Sequence, residues 1–220
     1  MDKFCKDAAV MDIFVAKVRD MTQEEYLSLV HSLPFGDAER ERILSFGSRA
    51  RALESASALW ALAHACERAD VKLPLEIARA DNGKPYFKSA GAHFSLSHSG
   101  KFAVAALSLE GEVGIDVEVI DERKNIFPIA ERYFSESECA CLESAEDNVT
   151  QFFKIWTAKE AIAKLFGEGL SSVIAKGKLG NNTVLPVSTQ IIESDATRIC
   201  ISVCAQKVSS PLEMRVHFIN

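Results

Sequence analysis

The stretch that most constrains this chain is Val113-Gly-Ile-Asp-Val-Glu-Val119. Side chains of a β-strand alternate between faces with period two, and here every second residue is β-branched and apolar. The run predicts a strand whose Val113, Ile115, Val117 and Val119 face a core. Asp116 and Glu118 then stand side by side on the opposite face. Carboxylates about 7 Å apart on one strand repel unless a cation sits between them. A hard divalent metal does this well, since Mg²⁺ takes a few carboxylates together with water and phosphates. The plain alternative is a half-exposed strand with a solvated acidic face.

A second carboxylate source follows. Thr150 to Phe166 predicts a long helix, stopped by Gly167 and Gly169. Phe152, Ile155, Trp156, Ile162, Ala163 and Phe166 form its apolar flank. Thr157, Glu160, Lys164 and Glu168 form a polar stripe, so Glu160 and Lys164 are neighbours on one face. They form either an ordinary surface ion pair or a third carboxylate (metal ligand or general base) beside a cation for phosphate. Upstream, Phe94-Ser-Leu-Ser-His-Ser-Gly100 alternates hydroxyls with larger side chains. Hydroxyls and the imidazole of His98 at a strand end can bind phosphate oxygens, although a lone histidine is commonly structural. No Gly-x-Ser-x-Gly string is present there, so a hydrolase nucleophile elbow is not indicated. Asn82-Gly-Lys-Pro-Tyr86 is a turn that presents Lys84.

The rest of the chain reads as α+β, with strands and helices in blocks. Residues 10–18 predict a strand. Thr22 and Glu25 form a capping box for a helix, Asp37 caps a second helix through Phe46, and a longer one spans about Ala50 to Ala69. His93–Ser99, Phe102–Leu109 and Val113–Ile120 predict antiparallel strands, and the short links between them predict hairpins. Ser135 and Glu138 box another helix, and strands are expected at Thr183–Val187, Thr197–Ala205 and Glu213–Ile219.

With 220 residues the chain can bury a substantial core as one large domain or two small ones. Its net charge of −6 argues against a chain-wide grip on nucleic acid or an anionic membrane. Asp7, Asp12 and Lys17 interrupt any signal-peptide core, and apolar runs fall far below the roughly 20 residues of a membrane helix. The six cysteines lack zinc-site spacing and read as reduced, mostly buried thiols of a cytoplasmic protein.

Four strings in order resemble the larger, Sfp-type 4′-phosphopantetheinyl transferases. They are Gly83-Lys84-Pro85, Ser97-His98-Ser99, Gly114-Ile115-Asp116-Val117-Glu118 and Trp156-Thr-Ala-Lys159-Glu160-Ala161-Ile-Ala-Lys164. The linking Arg132-Tyr-Phe-Ser-Glu-Ser-Glu138 is also similar. The resemblance covers about residues 82–170 and implies transfer of phosphopantetheine from coenzyme A to a serine of an apo acyl- or peptidyl-carrier protein. It implies that Asp116, Glu118 and Glu160 hold Mg²⁺, that Glu160 helps deprotonate the serine, and that Lys164 contacts phosphates and assists that proton transfer. His98 would meet the 3′-phosphate. Lys84, Pro85 and Ser97 would line the adenine end. A basic residue of an N-terminal helix joins the 3′-phosphate in this family; Arg51 fits best and Arg42 less well.

The family fold implies two similar α+β halves about a pseudo-twofold axis, 1–111 and 112–220, with the coenzyme between them. Arg123, Lys124 and Ile126–Tyr133 are the expected carrier-docking surface of a monomer. Fatty-acid, polyketide and nonribosomal-peptide carriers are all compatible. An Mg²⁺-dependent nuclease fits less well, because Ile120 stands where a lysine would follow the strand carboxylate. A non-catalytic carrier- or nucleotide-binding module is opposed by the intact Asp116, Glu118, Glu160 and Lys164.

Overall fold

The computed structural model describes residues 8–122, 125–175, 185–208 and 211–219. One sheet contains, from edge to edge, β4 (His93–Ser99), β5 (Phe102–Ser108), β1 (Ala9–Lys17) and β9 (Leu212–Ile219). A second contains β6 (Val113–Val119), β8 (Thr197–Ala205) and β7 (Val187–Ser194). A small ribbon pairs β2 (Ile77–Arg79) with β3 (Pro85–Phe87). The helices are α1 (Gln23–Ser32), α2 (Gly36–Leu44), α3 (Arg49–Arg68), α4 (Phe127–Tyr133), α5 (Glu136–Glu143), α6 (Asn148–Phe166) and α7 (Leu170–Ala175). The architecture is α+β.

Period-two alternation builds the centre. Ile13 and Val15 of β1, Val104 of β5, Ile115 and Val117 of β6, and Ile201 and Val203 of β8 interdigitate between the two sheets. On the outer face of the first sheet, Phe14, Phe94 and Ala105 pack against α3. Across the second sheet lies α6, which touches β6, β8 and β7. The order of layers is therefore helix, sheet, sheet, helix. Two runs of elements share a connectivity: β1, helices, then the β4–β5 hairpin, matched by β6, helices, then the β7–β8 hairpin. In each run, the second hairpin strand pairs antiparallel with the first strand. The last strand, β9, returns to the first sheet and pairs parallel with β1.

Several local expectations hold. Thr22–Glu25 and Ser135–Glu138 form complete capping boxes, and Gly167 ends α6 in the left-handed conformation with φ 66°. Others are corrected. Asp37 lies in the first turn of α2 rather than at its N-cap; Phe35 holds that position without a side-chain bond. The link at Glu110–Glu112 is not a hairpin, because β6 leaves β5 to pair with β8 in the other sheet. Residues 183 and 184 of the strand expected at 183–187 lie outside the described residues; 185 and 186 are not in a strand, and β7 runs from Val187 to Ser194. Its polar composition, Ser-Thr-Gln and Glu-Ser around two isoleucines, hid it. The buried side of α6 includes Phe153, Ala161 and Leu165, and Thr157 of the expected polar stripe is wholly buried.

Candidate active site

The site forms where α6 crosses β6. A Cβ on Gly114 would fall 1.9 Å from the Ala161 carbonyl oxygen and 2.6 Å from the Leu165 nitrogen. Glycine therefore sets how close the helix comes to the strand. Glu160 and Lys164 flank that crossing and are delivered over the acidic face of β6.

Asp116 is 5% exposed. Its Oδ1 accepts hydrogen bonds from Lys164 Nζ at 2.7 Å and Ser97 Oγ at 2.8 Å. Lys164 Nζ also donates to Ser97 Oγ at 2.6 Å. Asp116 Oδ2 is buried without a hydrogen-bond partner. Glu118 Oε2 accepts from Ser99 Oγ at 2.8 Å. Burial pushes the Glu160 carboxyl above its ordinary value; the charge of Asp116 and, less strongly, that of Glu118 add to the rise, while Lys164 opposes it. Both strand carboxylates therefore lie close enough to act on Glu160, and the acidic face is a charge cluster with Asp116 buried and Glu118 half-buried rather than a solvated edge.

The donor set bears on the metal. A buried carboxylate oxygen left unpartnered is costly unless something cationic completes it. Asp116 Oδ2 is such an atom, and its neighbours are hard oxygen donors of the kind Mg²⁺ prefers. As placed, no three His, Cys, Asp or Glu side chains among the described residues converge tightly enough to hold an ion. Lys164 supplies the local positive charge. The residues thus fit a divalent cation in chemistry.

The remaining expected residues are distributed around this centre. Lys84, Pro85 and Lys164 line one cavity of about 340 Å³ between the 82–85 turn, β4 and the end of α6. The ammonium of Lys84 is held by Glu112 and by the Leu165 carbonyl at 2.6 Å, so it staples the turn to α6. Ser97 turns its hydroxyl to Asp116 rather than into that cavity. His98 points the other way, to α3, where Nδ1 lies 3.4 Å from Glu54 Oε2. Arg51 is one helical turn before Glu54 and stacks its guanidinium on Phe46, 5.0 Å from the ring centre. Arg42 also lies over Phe46, but its guanidinium is bound twice by the buried Glu39. The structure therefore brings Arg51, and not a free Arg42, to the helix that His98 faces. Arg123 and Lys124 lie outside the described residues; at the start of α4, the N-cap Ile126 is buried and Phe127 exposed. A larger cavity of about 770 Å³, near Trp60 and Met21, holds none of these residues.

Sequence reasoning missed four supports. Ser99 holds Glu118, Glu54 faces His98, and Glu112 gathers both Lys84 and His93, the latter at 2.8 Å. Lys159 is 6% exposed and pairs with Glu138 at 2.8 Å, tying α5 to α6. The Ser-x-Ser-x-Ser spacing was visible, but its partner strand was not. Cys66, Cys139, Cys141, Cys200 and Cys204 are free thiols, and burial pushes Cys66 and Cys204 up to about 12 and Cys200 to about 11. These three are inert packing residues.

Residues 112–215 match a family model described as the 4′-phosphopantetheinyl transferase superfamily. A 4′-phosphopantetheinyl transferase AcpT of Salmonella typhimurium is 38% identical over 133 residues, covering 59% of this chain and 66% of that protein. The 4′-phosphopantetheinyl transferase psf-1 of Bacillus pumilus is 44% identical over 93 residues, covering 41% of this chain and 39% of that protein. The 4′-phosphopantetheinyl transferase HetI of Nostoc is 35% identical over 97 residues, 41% of each chain. The chain thus spans about two fifths to two thirds of the length of these curated relatives.

Proposed function

We propose that this chain, whose residues 112–215 match the 4′-phosphopantetheinyl transferase superfamily, moves the 4′-phosphopantetheine of coenzyme A onto a serine of an apo acyl- or peptidyl-carrier protein, releasing 3′,5′-ADP. The observation that carries this reading is the cluster of buried Asp116 with the half-buried Glu118, Glu160 and Lys164, held over one strand by a glycine-permitted helix crossing.

The serine oxygen forms a bond to the β-phosphorus of coenzyme A. The bond from that phosphorus to the bridging oxygen breaks, and its electron pair leaves with 3′,5′-ADP. Such transfer depends on positioning and charge neutralisation more than on covalent help from the protein. Glu160 takes the serine proton as general base. Lys164, fixed by Asp116 and Ser97, offers its positive charge to the phosphates. Asp116, Glu118 and Glu160 would hold Mg²⁺, which when bound supplies charge neutralisation at the pyrophosphate. Three carboxylates against one divalent ion leave about −1, so Lys164 and His98 are needed for an anionic ligand. Arg51 and His98 bind the 3′-phosphate; Lys84 and Pro85 border the adenine end.

We read 1–111 and 112–220 as halves related by a pseudo-twofold axis, supported by their common connectivity. The carrier docks on Arg123, Lys124 and the α4 region, where exposed Phe127 and Arg132 offer apolar and basic contacts. We place the enzyme as a monomer in the cytoplasm; the free thiols fit a reducing compartment, and no helix among the described residues is long and apolar enough to cross a membrane. The test combines apo-carrier, coenzyme A and Mg²⁺ and weighs the carrier by mass spectrometry. Gain of one phosphopantetheinyl group that disappears with chelator is expected. No gain with a carrier that another transferase can load would overturn the reading and favour a non-catalytic module.

A further inference from the structure

β4 and β6 are the edge strands of different sheets, yet they run side by side. Their backbones do not form a ladder. Serine hydroxyls span the gap instead: the N–H groups of Ile115, Val117 and Val119 donate to Ser95, Ser97 and Ser99 Oγ at 3.1, 3.4 and 3.1 Å. The spacing is two residues on each strand, so every rung has the same register. Ile115 and Val117 are buried, and without the hydroxyls their N–H groups would be unpartnered donors at a cost of about 1–3 kcal/mol each.

A hydroxyl has one hydrogen and two lone pairs. The lone pairs take the N–H, which leaves the hydrogen to be aimed. Ser97 aims it at Asp116, and Ser99 aims it at Glu118, each at 2.8 Å. Ser95 faces the position of Gly114, where no carboxylate exists. The three rungs are therefore alike as joints between sheets and unlike as aiming devices. The Ser97 arrangement is shared with Lys164; among the described residues no ammonium shares that of Ser99.

We propose that Ser99 is a positioning residue, whose hydroxyl orients the Glu118 carboxylate for a divalent cation while Ser95 only joins the sheets. This rests on the transferase reading, in which Glu118 is a metal ligand. Orientation before binding spares the cation the loss of a side-chain rotamer, and a hydrogen bond to a charged group is among the stronger ones.

The experiment titrates the full-length chain with Mn²⁺, following free ion by electron paramagnetic resonance, for wild type, Ser99→Ala, Ser99→Thr and Ser95→Ala. Thermal unfolding and transfer kinetics are measured on the same samples. Ser99→Ala should weaken Mn²⁺ binding about tenfold and raise the Mg²⁺ concentration for half-maximal transfer by a similar factor. Its kcat at saturating Mg²⁺ should stay within about twofold. Ser99→Thr, which keeps the hydroxyl, should restore affinity. Ser95→Ala should lower the melting temperature without changing affinity. Equal Mn²⁺ affinity in folded Ser99→Ala, or equal losses in the Ser99→Ala and Ser95→Ala proteins, would overturn the proposal while leaving wild-type transfer intact. A wild type that neither binds Mn²⁺ nor transfers would overturn the transferase reading and this inference with it.

Discussion

α3 and α6 hold equivalent places, each lying across the outer face of a sheet in its half, but the faces beneath them are chemically opposite. α3 buries Leu53, Ala56, Leu59 and Leu62 against Phe14, Phe94 and Ala105. α6 covers a face that carries Gly114, Asp116 and Glu118 on β6, Ser202 and two cysteines on β8, and Thr189 on β7. Its own Thr157 joins Ser202 at 2.7 Å, and Ser202 joins Thr189 at 2.7 Å. Buried polar groups are tolerable only when partnered, and nearly all of these are; Asp116 Oδ2 is the exception. One scaffold thus serves twice. Under α3 it builds stability, and under α6 it holds an unsatisfied carboxylate and the groups that act with it.

The contrast can be broken by substitutions on each side. Glu160→Gln should lower transfer by about 10²–10⁴-fold with the melting temperature unchanged or raised; a rate within tenfold of wild type would remove Glu160 as the base. Gly114→Ala should cost about 1–3 kcal/mol of stability through overpacking and about 100-fold in transfer by shifting α6 off the carboxylates. Circular dichroism melts and single-turnover assays read both, and a stable, fully active Gly114→Ala protein would show that the close crossing is dispensable. Leu62→Ala, on the α3 side, should cost about 2–5 kcal/mol in denaturant unfolding and leave kcat per folded molecule alone. A large loss of kcat would mean that the two faces are not separable in this way.

Smaller effects sharpen the picture at the edges. Reversing Arg123 and Lys124 to glutamate should raise the KM for an acidic carrier about tenfold while coenzyme A binding, measured calorimetrically, is spared. An unchanged KM would move the docking surface elsewhere. The smallest effect concerns Glu112. Burial would raise its pKa, but the Lys84 ammonium and His93 outweigh this and hold it below the ordinary 4.5. A carboxylate depressed in the folded state adds stability above its unfolded value and loses it as pH falls through the folded one. Glu112→Gln should therefore lower the unfolding free energy at pH 7 by less than about 1 kcal/mol given its exposure, with the difference vanishing in acid. A difference independent of pH would show that the ion pair is not its source.

Much of this was legible in the chain. Alternation in Val113–Val119 named both the core-facing residues and the carboxylates, and helix spacing put Glu160 beside Lys164. What alternation could not say is what lies across the strand. Whether an acidic face meets water or a helix is decided by long-range packing, and here Gly114 is the only local hint. The same limit explains Ser97 and Ser99, read as phosphate contacts because β6, their actual partner, belongs to another sheet. It also explains the missed crossover after Gly111, since a three-residue link suits a hairpin and a change of sheet alike. β7 went unread because its side chains, half-buried in both directions, carry no alternation to detect.

The central claim is that the polar face under α6 performs the chemistry and that Asp116 is its anchor. The most direct measurement is mass-spectrometric transfer to an apo-carrier by Asp116→Ala, run beside wild type at equal folded fraction established by thermal unfolding. The account predicts a Mg²⁺-dependent gain of phosphopantetheine with wild type and none with the folded variant. Equal loading by both proteins would contradict it.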